Sequence, residues 1–388
     1  MEDENEEKRG HHELSHKVDK FKQEEEEDID AKAFDDNFNS LLASEEPEVL
    51  VISDTHVGAI GSHATLLDNV LTSIENSLES GNSKIQGLLI IGDFFDYICQ
   101  DASALESIPE VQNVFSKVDK LANRIKVKVT LGNHEIPIAY GLEAKTYNFG
   151  KHRDAFVNML KEHANGQFET FLDPSNFCQW VSISNEGGDT ITITGHDDIN
   201  ELKGASCDGK ILLSHGYQFF PKENDVYGVV WKNLMHNPEE AKEVIDIMYN
   251  AKHVDPADEM DDVKEAVGKP GHRFERLVWE ELVEHVKKHQ NWVKQREENN
   301  KAEAYRQKEI EKFLQKNNLE GLSNVIYGHT HKAEHLTIPF GSNTVEVYNT
   351  GTWQHLPPTM IGIKLKEGQF AISAKIWDKE STSFAPIQ

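Results

Sequence analysis

Short apolar stretches rich in β-branched residues recur along this chain, and each ends abruptly in polar residues. Examples are "EVLVIS" before "DTHVG", "IQGLLII" before "GDFFD", and "NVIY" before "GHTH". The stretches do not alternate strictly between apolar and polar residues, which is typical of strands buried on both faces. Segments between several of them have helical spacing, such as "HATLLDNVLTSIENSLES". This alternation of strand and helix predicts a layered α/β domain.

Two regions depart from this pattern. Residues 1–47 carry 17 acidic and 6 basic side chains and lack apolar periodicity, so we predict a disordered acidic tail there. Residues 233–321 are rich in Glu, Lys and Gln, and their apolar positions repeat at helical spacing from Phe274 to Val286. We predict a helical insert, or cap, over residues 233–321, within a domain that spans residues 48–388.

Charge and cysteine content exclude several classes of protein. The formal net charge of -27 disfavours general binding to a nucleic-acid backbone, which requires a basic stripe. The three cysteines, Cys99, Cys178 and Cys207, do not have metal-binding spacing, and their odd number argues against a disulfide framework. The charged N-terminus lacks the apolar stretch of a signal peptide, and no apolar run is long enough to span a bilayer. We therefore expect a cytoplasmic protein without a transmembrane segment.

Residue types that bind metals follow most of the predicted strands. Because ligand sites in open α/β sheets lie beyond the carboxyl ends of the strands, we expect these residues to converge on one crevice. Alone, a pair such as His329 and His331 is more often two solvated or hydrogen-bonded histidines on one strand face. The residues that follow the strands are Asp54, His56, Asp93, Asp96, Asn133, His134, His215, His329 and His331.

The chemistry of this set favours a pair of metal ions. Carboxylate, imidazole and amide oxygen, without thiolate, suit Mn²⁺, Fe²⁺ or Fe³⁺, and Zn²⁺. The candidate ligands are too many for a single catalytic metal with an open position. Asp93 can bridge two ions, because each of its carboxylate oxygens can serve one of them. Two divalent ions bound by Asp54, Asp93 and a bridging hydroxide keep a positive charge that would attract phosphate.

The order of the motifs resembles that of the calcineurin-like metallophosphoesterase family. The matching stretches are "DTH" (54–56), "GDFFD" (92–96), "GNHE" (132–135), "HG" (215–216) and "GHTH" (328–331). The resemblance covers about residues 48–388, apart from the insert. It implies an α/β fold in which a two-sheet β-sandwich is flanked by helices, the αββα arrangement, here with a helical insert.

The resemblance also implies a role for each candidate metal ligand. Within such a site, three side chains would hold each ion and one carboxylate would bridge the two. By this correspondence the first ion is held by Asp54, His56 and His331, the second by Asn133, His215 and His329, and the bridge is Asp93.

His134 would remain unligated and act as the general acid, with Asp96 orienting its imidazole. A carboxylate partner favours a charged histidine and fixes its tautomer, so Asp96 would help to keep His134 protonated. The alternative is that Asp96 caps the helix that follows, a position that Asp favours. In the implied reaction, a metal-bridged hydroxide attacks phosphorus while His134 donates a proton to the leaving oxygen.

The sequence differs from the Ser/Thr protein phosphatases of this family, which extend the second motif with Arg-Gly. This chain has Tyr97 and Ile98 at those positions. We therefore expect a small-molecule, nucleotide or lipid-linked phosphate ester or pyrophosphate as the substrate. A Ser/Thr-type protein phosphatase and a non-catalytic metal-binding scaffold are the alternatives, and the acidic tail is a candidate site for a protein partner.

Overall fold

The structure is a computed structural model in which a defined part of the chain is described. Two predicted site residues, Asp96 and Asn133, lie outside that part, as does most of the predicted insert. The described residues are 29–58, 62–81, 83–95, 109–130, 132, 134–135, 178–184, 188–196, 207, 209–220, 299–354 and 357–387.

Strands and helices follow one another in the described residues as the apolar stretches predict. The helices are α1 (Ala31–Glu45), α2 (Ala64–Glu79), α3 (Pro109–Ala122) and α4 (Asn299–Asn317). The strands are β1 (Val49–Ile52), β2 (Gly87–Ile91), β3 (Lys126–Thr130), β4 (Cys178–Ser184), β5 (Thr190–His196), β6 (Lys210–Ser214), β7 (Asn324–Tyr327), β8 (Ala333–Phe340), β9 (Asn343–Thr350), β10 (Thr359–Lys366), β11 (Gln369–Asp378) and β12 (Ser383–Pro386). A 3-10 turn, Tyr217–Phe219, follows β6.

Within the described residues the strands form two six-stranded sheets. The first has the order β12-β11-β10-β1-β2-β3 and the second the order β5-β4-β6-β7-β9-β8. Strands β1, β2 and β3 are mutually parallel, as are β6, β7 and β9. The carboxyl ends of each parallel set therefore open at one edge of its sheet, which is where the predicted site residues follow.

The central strands are buried on both faces, as their unbroken apolar sequences require. Val49 and Val51 of β1 pack in the cluster between the two sheets, whereas Leu50 and Ile52 face the cluster beneath the helices. All four residues are at most 2% exposed. The prediction of a two-sheet β-sandwich flanked by helices is confirmed.

The prediction of a disordered tail over residues 1–47 is wrong for residues 31–45, which form α1. Asp30 caps this helix by accepting a hydrogen bond from the backbone N–H of Ala33 at 3.0 Å. Phe34, Phe38 and Leu42 recur every four residues and are buried. The acidic residues around them concealed this apolar stripe in the sequence. Residues 1–28 lie outside the described residues.

Helix α4 falls within the predicted insert but packs on the body of the domain. Its residues Ile310 and Leu314 are fully buried, and the Phe313 ring meets that of Phe219 edge-on, with centroids 4.7 Å apart. The boundary of the insert at residue 321 is therefore too late, because the folded body resumes by residue 299. Residues 233–298 lie outside the described part. No helix in the described part is long and apolar enough to cross a membrane.

Substitution of Phe34 by leucine tests the packing of α1. The Phe34 ring lies 5.0 Å from Trp377 and 5.3 Å from Phe384 between centroids, so a smaller side chain leaves a gap. We expect Phe34→Leu to lower the free energy of unfolding by about 1–3 kcal/mol, measured by urea denaturation. Ser40→Ala, at an exposed position of the same helix, should stay within about 0.5 kcal/mol of the wild type. An unchanged midpoint for Phe34→Leu would contradict the packing of α1.

Candidate metal centre

Five predicted site residues have left-handed backbone conformations just beyond strand ends. Such conformations cost L-residues about 1–2 kcal/mol each, and they concentrate at functional sites. These residues, with their φ angles, are Asp54 (49°), His56 (43°), Asp93 (48°), His329 (70°) and His331 (56°). The backbone at both sheet edges thus adopts costly conformations at the candidate ligands, and the surrounding contacts must hold it there.

Four of the predicted ligands form a compact cluster. Asp54, His56, Asp93 and His331 each offer one ligand atom, and these atoms all lie within 4.8 Å of one another. His56 Nε2 is 3.2 Å from His331 Nε2, and His331 Nε2 is 3.3 Å from Asp54 Oδ1. Three of these residues make up the first predicted ligand group, and Asp93 is the predicted bridge.

Two residues of the second predicted group lie next to this cluster. His215 Nε2 is 3.2 Å from Asp93 Oδ2, and the rings of His215 and His329 are 5.3 Å apart between centroids. His215 Nδ1 lies 3.0 Å from the carbonyl oxygen of Ile91, which can only accept, so Nδ1 carries the proton. That tautomer leaves Nε2 as the nitrogen suited to bind a metal. Asn133, the third member, lies outside the described residues.

The electrostatics of the cluster suit a cation. Asp54 and Asp93 are at most 1% exposed, and within the described residues their ion-pair partners are histidines. Burial raises the pKa of Asp93, but the charges of His215 and His134 hold that pKa well below its ordinary value. Burial lowers the pKa of His215, yet Asp93 and Asp54 raise it to about 9. Two buried carboxylates surrounded by imidazoles are the donor set that divalent transition metals bind.

His329 responds in the opposite direction. Burial and the neighbouring charge of His215 lower the pKa of His329 to about 3, so its imidazole is neutral at physiological pH. A neutral imidazole is the form that binds a metal. His329 therefore has the protonation state that metal binding requires, whereas His215 would have to release a proton when an ion binds.

His134 lies against the cluster and keeps contact with solvent. Its backbone N–H donates to Asp93 Oδ1 at 3.0 Å, and its ring centroid is 4.7 Å from that of His56. Its side chain is 13% exposed, and Nε2 is 3.9 Å from Asp93 Oδ2. The ring thus borders the site from the side that an external molecule can reach. The predicted contact with Asp96 lies outside the described residues.

The model of the calcineurin-like phosphoesterase family matches residues 47–333. This chain belongs to that family. Its membership confirms the resemblance seen in the motifs. No curated protein matches the chain. Among solved structures, a dimetal phosphatase from Danio rerio is similar at 12% sequence identity and a TM-score of 0.37, with 85% of this chain and 95% of that chain covered.

In this member of the family, two glycines of the motifs let the backbone approach the carboxylates. A Cβ at Gly132 would overlap Asp93 Oδ1, and a Cβ at Gly328 would overlap Asp54 Oδ2. Any larger residue at either position would push the adjacent carboxylate out of place. The glycines before Asn133 and His329 are therefore needed for the position of ligands that lie far away in sequence.

Glu135, the last residue of "GNHE", holds the backbone of two loops at the site. Its fully buried carboxylate accepts hydrogen bonds from the backbone N–H groups of Asp93 at 3.1 Å, Phe95 at 3.1 Å and Gly132 at 2.9 Å. These bonds tie the loop after β2 to the loop after β3. Burial and the nearby charge of Asp93 raise the pKa of Glu135 to about 7. No role for Glu135 was predicted from the sequence, although its place in the motif was a signal.

The stretch "NTGTW" (349–353), which begins within the last two residues of β9, holds two of the loops that carry ligands. The Thr352 hydroxyl and the Trp353 backbone N–H both donate to the carbonyl oxygen of Asp54, at 3.0 Å and 2.9 Å. The Asn349 amide donates to the carbonyl oxygen of Gly328 at 3.1 Å. No supporting role for these three residues was predicted from the sequence. The signal was that they lie at the end of a strand or just beyond it, close to where the ligands lie relative to their own strands.

Proposed function

We propose that this protein is a phosphoesterase that uses two divalent transition-metal ions to hydrolyse phosphate esters or pyrophosphates. The observation that carries this proposal is the convergence of ligand atoms from Asp54, His56, Asp93 and His331 within 4.8 Å of one another. These side chains come from three separate loops at the ends of parallel strands. Membership of a phosphoesterase family supports phosphorus as the reacting centre.

We further propose the division of ligands that the motif order implies. Asp54, His56 and His331 would hold one ion, and His215 and His329 would hold the other together with Asn133. The position of Asp93 supports its role as the bridge. Its Oδ2 is 3.7 Å from Nε2 of His56, in the first ligand group, and 3.2 Å from Nε2 of His215, in the second.

When bound, the metals would lower the pKa of a shared water and orient phosphate oxygens for attack on phosphorus. The protein's own groups would do the rest. Asp54 and Asp93 would balance part of the positive charge of the metals. Burial would strengthen the attraction between the remaining positive charge and a phosphate group. His134, at the solvent-facing side, would donate a proton to the leaving oxygen.

The substrate class follows from the second motif. The Arg-Gly pair of the Ser/Thr protein phosphatases would supply a phosphate-binding guanidinium, and this chain has Tyr97 and Ile98 instead. We therefore propose a small-molecule, nucleotide or lipid-linked substrate. A panel with Mn²⁺ should show faster turnover of phosphomonoesters, phosphodiesters or nucleoside diphosphate sugars than of phosphopeptides. The Asp93→Asn variant is the control for contaminating phosphatases, and a preference for phosphopeptides would contradict this substrate class.

Metal content provides a direct test of the dinuclear site. After loading with Mn²⁺ and gel filtration, we expect about two ions per chain by inductively coupled plasma mass spectrometry, because the ligand set exceeds the need of one ion. A stoichiometry at or below one ion per chain would contradict the dinuclear proposal. The His335→Asn variant should bind as much metal as the wild type, because His335 pairs with Glu346 on β9 at 2.7 Å and is not in the cluster.

A further inference from the structure

The loop between β7 and β8 carries two predicted ligands in unusual backbone conformations. His329 and His331 both have positive φ angles, 70° and 56°. Neither is glycine, so the loop sequence alone does not favour this geometry. Sparsely populated conformations persist only where surrounding contacts determine them. Groups outside the loop must therefore hold it in place.

One such contact closes the base of this loop. Tyr327 immediately precedes the loop and Glu334 lies just beyond it, at the second position of β8. The Tyr327 hydroxyl donates to Glu334 Oε1 at 2.8 Å, and both side chains are buried, at 0% and 4% exposed. This hydrogen bond joins the two ends of the segment that contains both histidines. Opening the loop would break this bond in the interior of the protein, where leaving a buried polar group without a partner is costly.

Arg306 of α4 completes the arrangement. Its Nε and one terminal nitrogen donate to the two oxygens of Glu334, each at 2.5 Å. Such paired bonds fix the plane of a carboxylate as well as its position. Arg306 is 8% exposed, so solvent screens this ion pair little. Glu334 is thus held from two sides, by the strand that precedes the loop and by a helix of the outer layer.

Aromatic packing connects the same helix to one of the two histidines, His329. The Phe220 ring stacks on that of His329 at 6.2 Å, with planes 17° apart, and lies 6.1 Å from the Tyr327 ring. It also lies 6.4 Å from Tyr305 of α4. Movement of α4 would therefore disturb both the Glu334 contact and the ring that packs against His329.

We propose that Tyr327, Glu334 and Arg306 form a loop staple that sets the position of His329 and His331 for metal binding. This inference rests on the proposed function, because it concerns the same metal centre. None of the three side chains is one of the predicted metal ligands, so each acts as a positioning residue. The alternative is that the three residues stabilise the fold without affecting the site.

The Tyr327→Phe variant tests the staple, because it removes one hydroxyl and keeps the ring. We expect Co²⁺ affinity, measured by isothermal titration calorimetry, to fall about tenfold, since one hydrogen bond to a charged group is lost. The visible absorption spectrum of the Co²⁺-loaded protein should also change, because it reports the ligand geometry. Arg306→Lys keeps the charge but loses the paired bonds, so it should also lower the Co²⁺ affinity and change the spectrum. This variant tests the staple if Tyr327→Phe does not fold.

A stability-matched control separates positioning from folding. Val114→Ala removes buried volume from α3, which carries no predicted ligand, and should lower the urea midpoint while leaving Co²⁺ affinity and spectrum unchanged. If Tyr327→Phe binds Co²⁺ with wild-type affinity and spectrum, the staple is overturned and the metal centre stands. If the wild type itself binds no Co²⁺, the proposed function fails, and the staple fails with it.

Discussion

Asp93→Asn is expected to release metal from both halves of the site and to lower turnover by roughly 10³–10⁵-fold. The physical reason is that loss of the bridging charge removes several kcal/mol of electrostatic stabilisation, and each 1.36 kcal/mol is about tenfold in rate. Asparagine has nearly the same size as aspartate and can still accept the hydrogen bond from the His134 backbone N–H, so the loop should keep its shape. The effect therefore isolates the charge and the second oxygen.

Two measurements on this variant check the prediction. Metal content by mass spectrometry should fall for both ions together, and turnover of p-nitrophenyl phosphate should fall with it. Asp36→Asn is a matched control, because Asp36 lies at the surface of α1 and pairs only with Lys32 among the described residues. If Asp93→Asn keeps its full metal content, Asp93 is not the bridge. Loss of a single ion would instead place Asp93 in one half of the site.

The residues that converge in the structure, Asp54, His56, Asp93 and His331, stand out in the sequence because their signals are local. A strand buried on both faces leaves no alternation, so β1, β2 and β7 stand out as unbroken apolar runs. The polar residues that follow them, such as Asp54 and Asp93, then lie at known ends of parallel strands. Parallel pairing places those ends at a common edge, as the registers of β1 with β2 and of β6 with β7 show. Convergence follows from topology, without knowledge of any side-chain contact.

The supports of the site could not be predicted in the same way, because they act across long sequence separations. Thr352 contacts Asp54 from a position 298 residues away, and no periodicity connects the two. Arg306 lies in a helix of the predicted insert, and nothing in its surroundings marks it as the partner of Glu334. The left-handed conformations of Asp54 and His56 are equally hidden, since neither residue is glycine. Such features arise from packing, which a single sequence does not reveal.

Helix α1 illustrates the opposite error, in which composition outweighed a correct local pattern. The acidic residues of segment 1–47 suggested disorder, but only three buried residues are needed to dock one helix face. Phe34, Phe38 and Leu42 provide that face, and Phe34 meets Trp353 at 6.4 Å between centroids. Trp353 is the residue whose N–H binds the Asp54 loop, so a segment predicted to be a tail contacts a support of the candidate metal centre.

His134→Asn is expected to retain metal and to lose turnover by about 10²–10⁴-fold on substrates with poor leaving groups, the range typical of general acid catalysis. Asparagine keeps the backbone N–H that donates to Asp93 Oδ1, so the ligand loop is preserved. What it removes is a group that can donate a proton from the solvent-facing side of the cluster.

The leaving group makes this prediction specific to proton donation. An alkyl phosphate expels a strongly basic alkoxide and depends on the acid, whereas p-nitrophenyl phosphate expels a stable phenolate and does not. On the alkyl ester, the turnover rate of His134→Asn should therefore be far below that of the wild type. On the nitrophenyl ester, the two rates should differ by no more than about tenfold. His335→Asn, outside the cluster, should change neither rate. If His134 donates a proton to the leaving oxygen, the loss of turnover rate must grow with the basicity of that oxygen. Equal losses of rate on both substrates would therefore assign His134 to substrate binding or to the support of Asp93.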